Sequence, residues 1–482
     1  MNRILAYCAV GLLAPLAALR AADAPPPAAK PNIVIFHCHD LGQYLHCYGV
    51  PTVQTPNLDK FAAQGVRFAR SFCSQPGCSP SRASLFTGRY PHNNGVMGLT
   101  HANFAWDLHP EEKHLAQFLK EAGYATVAIG HIHETRSGPQ RCGYEKFINQ
   151  GKAAAGTTAA IAELKRLAAS GQPFYLYAGF IEPHRLPYPK ASGQPAGEHG
   201  FPGPHLQPDS ALGVAVPGYL RDTPGTREEL AGLQGAVRHV DEQFGRWVQA
   251  LRELGLETNT LLIATTDHGV AMPRAKCSLY EPGLQIALLL RHAGRAGWHG
   301  GTVRNEMVSN IDVLPSILDL VGLPIPANVQ GRSFAPLLDG RAYTPNAAIF
   351  GELTYHNYYD PQRSIRTETH KLMANFSTAP AFQDPSQQWR PKSDTLVPAN
   401  PASAHHPHLE LYDLTKDPFE QTDLAGKKEY AALRDELAQH LYRHMVETDD
   451  PLLRGAVTSP QHETTLKLLR GDSPAGHAGR GL

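Results

Sequence analysis

Excess charge of either sign is what this chain lacks. Its 482 residues carry 44 Lys plus Arg against 44 Asp plus Glu, so no long-range field draws it to nucleic acid or to an acidic membrane surface. Cysteine is scarce too. There are seven, and no C-x-x-C pair among them, which argues against a zinc ribbon or a disulfide framework. Cys8 sits in the N-terminal apolar run, and one bridge among Cys38, Cys47, Cys73, Cys142 and Cys277 stays open in an oxidising compartment. Beyond residue 19 no apolar run is long enough to span a membrane, so stable membrane insertion is not expected. Internal repeats are also missing.

What is present begins with an N-terminal address. Arg3 supplies positive charge, Ile4 to Leu19 is apolar, and Ala21 and Ala22 offer a small-residue cleavage point. Residues 1–22 therefore read as a signal peptide, and the mature protein as exported, periplasmic or secreted. Hydrophobic content of 42% is ample for a core.

Strand-like runs alternate with helical patterns through the first two thirds. Asn32 to Phe36, Val66 to Phe72, Ala125 to Ile129, Pro173 to Phe180 and Thr260 to Thr265 read as strands, and Leu284 to Leu290 is a further apolar run. Helices are expected from Thr55 to Gly65, His114 to Ala122, Ala154 to Ala169 and Thr226 to Leu254. Alternation of this kind predicts an α/β domain over 30–345, a mostly parallel sheet flanked by helices. Near Pro345 the pattern changes to short strands (Ala348 to Phe350, Lys371 to Ala374, Leu409 to Tyr412) and a helix from Lys428 to Thr448. That predicts a smaller α+β domain over 346–455, with a long loop at Pro380 to Pro407 and a flexible tail over 456–482.

The most informative residues are Cys78-Ser79-Pro80-Ser81-Arg82, with Thr87-Gly88-Arg89 downstream. Ser79 can cap a helix and Pro80 suits its first position. Cys78 would then stand at a helix N-terminus, where free N–H groups favour an anion, with Arg82 one turn inside as a forked cation. The bland alternative is a buried structural Cys ahead of an ordinary helix. Other chemistry-bearing residues follow predicted strands: His39-Asp40, His131 and His133, His184, and Asp267-His268-Gly269. Ligands in open parallel sheets bind outside the carboxyl ends of strands, so these positions converge on one site. Asp40 and Asp267 are the best metal ligands, with His268 and His39 beside them. A site of two Asp and two His takes Ca2+, or leans toward Mn2+ or Zn2+. His39 has a second reading, as a spacer outside the coordination sphere.

The Cys78 pentapeptide and its partners resemble the signature of type I sulfatases. Within them the pattern is most similar to the sulfamidase (heparan N-sulfatase) branch, at Cys78 to Leu85, Asn94-Gly95, Gly98-Leu99, Pro183-His184-Arg185, Leu279-Tyr280, Pro282-Gly283, Glu410 to Asp413, Asp417-Pro418, Glu447-Thr448 and Asp450-Pro451. The resemblance implies an alkaline-phosphatase-like fold. It also implies that a formylglycine-generating enzyme oxidises Cys78 to formylglycine (3-oxoalanine). The hydrated aldehyde attacks sulfur with one hydroxyl and expels sulfate by collapse of the other. Arg82 would stabilise it, His133 would position or protonate near it, and His184 and Lys276 would meet the sulfate or the leaving group. His131 stands where the family has Lys, and His39 where it has the first of two Asp. His356 would reach the sugar, or is a loop His. A sulfated sugar is the implied substrate, with N-sulfated glucosamine favoured. A phosphonate or phosphate ester hydrolase of the same fold, and a non-catalytic glycan-binding relative, remain as rivals.

Overall fold

The structure, a computed structural model, describes residues 30–188, 199–201, 207–380, 392–397 and 404–472. The expected signal segment, most of the Pro380 to Pro407 loop and the last ten residues lie outside them. Eight strands form the main sheet, in the order Thr302–Arg304, Val66–Phe68, Leu288–His292, Thr260–Thr266, Asn32–Cys38, Phe174–Gly179, Ala125–Gly130, Lys146–Ile148. All neighbours run parallel except those of Leu288–His292, which is antiparallel to both.

The central strand Asn32–Cys38 is buried along its whole length, which is why it reads as a continuous apolar run and not as an alternation. Val34, Phe36 and Cys38 face one core with Leu164, Phe244 and Trp247 from helices Ala153–Ser170 and Pro224–Glu253. Ile33 and Ile35 face the other, with Leu85, Leu115 and Ile317 from helices Cys78–Thr87, Leu115–Glu121 and Val313–Leu320. Phe36 meets Phe180, Phe244 and Trp247 at ring distances of 4.7, 5.1 and 5.6 Å. Truncating it to Ala would cost about 3–5 kcal/mol.

A second, antiparallel sheet orders Ile349–Tyr355, Tyr359–Arg366, His370–Asn375 and Leu409–Asp413. Helix Ala431–Glu447 covers it with Leu437, Leu441 and Met445, a four-residue spacing that lines one helix face.

Three local expectations change. The Val66 to Phe72 run breaks in two, with Val66–Phe68 in the main sheet and Ser71–Phe72 paired to Val308–Ser309. Strand Tyr359–Arg366 carries no apolar signal because its buried Arg363 and Arg366 are held by ion pairs to Asp450 and Glu281. Within the expected flexible tail, Pro460–Leu469 is a helix. Its signals are local: the Ser459 side chain accepts from the His462 N–H, and Pro460 takes the first position.

Candidate active site

Four adjacent strands of the main sheet (Thr260–Thr266, Asn32–Cys38, Phe174–Gly179, Ala125–Gly130) run the same way. Their carboxyl ends lead to Asp267-His268, His39-Asp40, His184, and His131 with His133. Helix Cys78–Thr87 starts at the same end. Asp40 has a φ of 50°, a left-handed conformation that Asp tolerates better than most residues. Its N–H donates to Asp267 Oδ1 at 2.9 Å, and the Gly42 N–H to the His268 carbonyl at 2.9 Å. Two strand-end turns are thereby locked together.

The helix begins two residues earlier than expected. Gly77 is its N-cap, Cys78 is its first residue and Ser79 caps nothing. The Ser79 hydroxyl instead accepts from the Thr100 N–H at 3.2 Å. Pro80 falls third, still among the four positions whose N–H has no partner inside a helix. Burial pushes the Cys78 thiol up to about 12, with Lys276 pulling the other way. An unconverted Cys78 is thus a protonated thiol at neutral pH and a weak nucleophile.

Charges sit in close order behind it. Lys276 Nζ donates to Asp40 Oδ1 and Oδ2 at 3.1 and 2.9 Å and to His184 Nε2 at 3.1 Å. The second ring nitrogen of His184 donates to the Arg185 carbonyl, so its Nε2 carries the lone pair. Burial and Lys276 together lower His184 to about 4. Arg82 is fully buried and turned inward: Nε and Nη2 meet Asp267 Oδ2 at 3.2 and 3.1 Å, and Nη1 meets the Tyr177 hydroxyl at 2.7 Å and His37 Nδ1 at 3.1 Å. Burial would raise both carboxyls. Lys276 beside Asp40, and beside Asp267 the His268 backbone N–H, the His39 ring N–H and Arg82, outweigh it and hold both below the usual carboxylate range.

One donor set fits a divalent cation. His268 donates its Nδ1–H to the Gly269 carbonyl at 2.9 Å, which fixes the tautomer and leaves the Nε2 lone pair free. That buried nitrogen has no hydrogen-bond partner among the described residues, and it faces Asp40 Oδ1 at 3.2 Å and Asp267 Oδ1 at 3.7 Å. Three acceptors facing one another are what a cation resolves. His39 differs: its Nδ1 lies 2.7 Å from Asp40 Oδ1 and 3.2 Å from Asp267 Oδ2. It is therefore a donor to both carboxylates, as in the spacer reading.

His131 and His133 lie beside His39, the His39–His131 and His131–His133 rings being 5.4 and 4.6 Å apart. His356 leans on the helix start from the antiparallel sheet, its Cδ2 3.1 Å from where a side chain on Gly77 would begin. Every residue singled out from the sequence is thus in or at the rim of one cluster. Sequence reasoning missed His37 and Tyr177, which hold Arg82, and Asn310, whose amide donates to the Ser81 hydroxyl at 3.0 Å; it places His101 near the catalytic helix without a role, and the structure sets its Nδ1 2.8 Å from His133 Nε2. Only His37 left a signal, a polar residue inside an apolar strand.

The chain matches the family model described as Sulfatase over residues 31–323, and that of the N-sulphoglucosamine sulphohydrolase C-terminal region over 273–387. It is 29% identical to human N-sulphoglucosamine sulphohydrolase over 468 residues, covering 88% of this chain and 91% of the relative. Human arylsulfatase A is 30% identical over 473 residues, covering 83% and 84%. Among solved structures, a complex with the substrate D-glucosamine-2-N,6-O-disulfate superposes with a TM-score of 0.66 at 21% identity, covering 87% of this chain and 98% of that one. A phosphonate monoester hydrolase of Agrobacterium radiobacter gives 0.62 at 20% identity, covering 87% and 96%. These two likenesses bear on the fold, which is alkaline-phosphatase-like. With the family model covering more than half of the chain and the site built as described, this protein belongs to the sulfatase family and is a hydrolase of sulfate esters or sulfamates.

Proposed function

We propose that this chain is an exported sulfatase acting on a glycan, with the N-sulfated glucosamine of heparin or heparan sulfate as its substrate. The observation that carries the reading is the position of Cys78: at a helix N-terminus, in one donor cluster with Asp40, Asp267 and His268. The match of residues 273–387 to the N-sulphoglucosamine sulphohydrolase C-terminal region supports the substrate. The domain division that goes with it is a signal peptide over 1–22, a catalytic domain over 30–345 and a C-terminal domain from 346.

Formylglycine at position 78, made by a formylglycine-generating enzyme, would supply the nucleophile that a buried thiol does not. Asp40, Asp267 and His268 would hold a divalent cation, with Ca2+ favoured by the two carboxylates and Mn2+ or Zn2+ by the imidazole; it would withdraw charge from the sulfate. The remaining work belongs to the side chains. Unpaired N–H groups at the start of helix Cys78–Thr87 attract the anion. Lys276 is an ammonium ready to turn from Asp40 to a sulfate oxygen. His184, neutral at rest, gains proton affinity when an anion arrives beside it and can then protonate the departing amine or alcohol, with His133 as the other candidate. Arg82 works from behind by holding Asp267. His356 forms part of the rim that meets the sugar.

The test is sulfate release from N-sulfoglucosamine, 6-O-sulfated glucosamine and an aryl phosphonate monoester, using protein co-expressed with the maturing enzyme. Peptide mass spectrometry reports conversion of Cys78. Selective release from the N-sulfated sugar is expected. Release only from the O-sulfated sugar keeps the mechanism and removes the substrate assignment. Phosphonate cleavage alone moves the chain to the ester-hydrolase rival. Protein whose Cys78 stays unconverted beside the maturing enzyme, and that binds the sugars while turning over none of the three, is the glycan-binding relative.

A further inference from the structure

One imidazole nitrogen from each of His39, His131 and His133 lies within 4.8 Å of the other two. His39 already gives Nδ1 to Asp40 and Asp267, so its open nitrogen is Nε2. His133 meets His101 through Nε2 at 2.8 Å, which leaves Nδ1. That Nδ1, and Nε2 of His131, are buried and have no hydrogen-bond partner among the described residues. A buried polar atom left unpaired costs about 1–3 kcal/mol. Two of them on rings whose centroids lie 4.6 Å apart call for a ligand.

The surroundings specify which kind. Histidines that bind metal ordinarily hand the other ring nitrogen to a carboxylate, a carbonyl or another polar group, which fixes the tautomer. His39 with Asp40 and His133 with His101 are such pairs. Three imidazoles without a carboxylate or thiolate make a poor site for Ca2+ or Mg2+ and a good one for a borderline cation. We propose that His39, His131 and His133 form a second cation site beside the Asp40, Asp267 and His268 centre, and that it takes a divalent metal of the zinc class. The site does not depend on the sulfatase reading, because it fills whether or not Cys78 is converted. With the ion bound His133 is a ligand, and proton transfer falls to His184.

The experiment uses untagged full-length protein, stripped with a chelator, reloaded with Zn2+ and passed through gel filtration before the metal is counted. The expected result is one tightly held equivalent of Zn2+ that H131Q and H133Q each remove and D267N retains. Finding no tight Zn2+ would overturn the proposal. So would a Zn2+ that D267N removes and both His variants keep, or one that all three variants remove together. Cobalt checks the wild-type protein without a variant: an intense visible band from a low-coordinate imidazole site is expected, and only weak six-coordinate absorption counts against it. If the trio binds an anion instead, H131Q and H133Q shift the affinity for inorganic sulfate and leave the Zn2+ count unchanged, which also sinks the idea.

Discussion

Two groups of buried charges can be set side by side. Where the two sheets meet, Lys371 lies 2.8 Å from both Glu281 and Glu420, and Arg366 lies 3.2 Å from Glu281. Lys371 also donates to the Leu279 carbonyl at 3.0 Å, and Glu420 accepts the Glu281 N–H at 2.6 Å. Two cations and two anions close on themselves. At the sheet ends Asp40 and Asp267 meet Lys276 and Arg82 in the same two-against-two ratio, yet that cluster stays open. His268 Nε2, His131 Nε2, His133 Nδ1 and His356 Nε2 are buried without hydrogen-bond partners among the described residues. Charge and burial are alike in the two groups. The unpartnered atoms differ in kind: in the closed group Glu420 Oε1 makes no hydrogen bond but faces the Lys371 ammonium at 2.8 Å, whereas at the sheet ends they are imidazole nitrogens, the kind of atom that a ligand satisfies.

The sharpest way to break this comparison is Cys78→Ala, measured beside converted wild-type protein. Turnover should fall by at least about a thousandfold, with the unfolding midpoint little changed. A variant that keeps a tenth of the wild-type rate would leave Cys78 a structural residue. Lys371→Met attacks the closed group. It leaves two buried carboxylates facing each other and should cost about 3–5 kcal/mol in urea denaturation, while activity per folded molecule persists. Equal losses of activity and stability would erase the distinction between the groups.

Smaller effects sharpen it further. His268→Gln removes the lone pair that faces both carboxylates, and calorimetry should show divalent-metal affinity down about 10–100-fold; unchanged affinity would take His268 out of the cation site. Glu281 provides a pH readout for the closed group. Burial alone would raise its pKa, but Lys371 and Arg366 prevail and hold it below its ordinary 4.5. The unfolded chain therefore takes up this proton first as pH falls below 4.5, so the stability that Glu281 confers is present above that value and lost on acidification. Glu281→Gln should flatten the fall in stability below pH 4.5. The same slope in the variant as in the wild type would assign the acid sensitivity elsewhere.

Much of the architecture was legible because buried parallel strands write themselves as apolar runs. Asn32 to Phe36, Ala125 to Ile129 and Thr260 to Thr265 needed no partner to be recognised. Strand Tyr359–Arg366 was hidden, since the Asp450 and Glu281 that neutralise its arginines lie 87 and 85 residues away. The site followed the same rule. Residues just beyond strand ends could be named one by one, whereas His37, Tyr177 and Asn310 matter only through what they touch. Ser79 was assigned the cap that Gly77 takes, because a side chain able to cap does so only where the backbone brings a free N–H within reach.

The sequence by itself determined which residue types stand after which strands, and hence the family resemblance read at Cys78, Asp40 and Asp267. Tertiary structure decided how each ring nitrogen is used. His39 turns Nδ1 to two carboxylates, His268 turns Nδ1 to a carbonyl, and His133 turns Nε2 to His101. An imidazole has two nitrogens and one neutral proton, and only its neighbours in space settle which nitrogen keeps the lone pair.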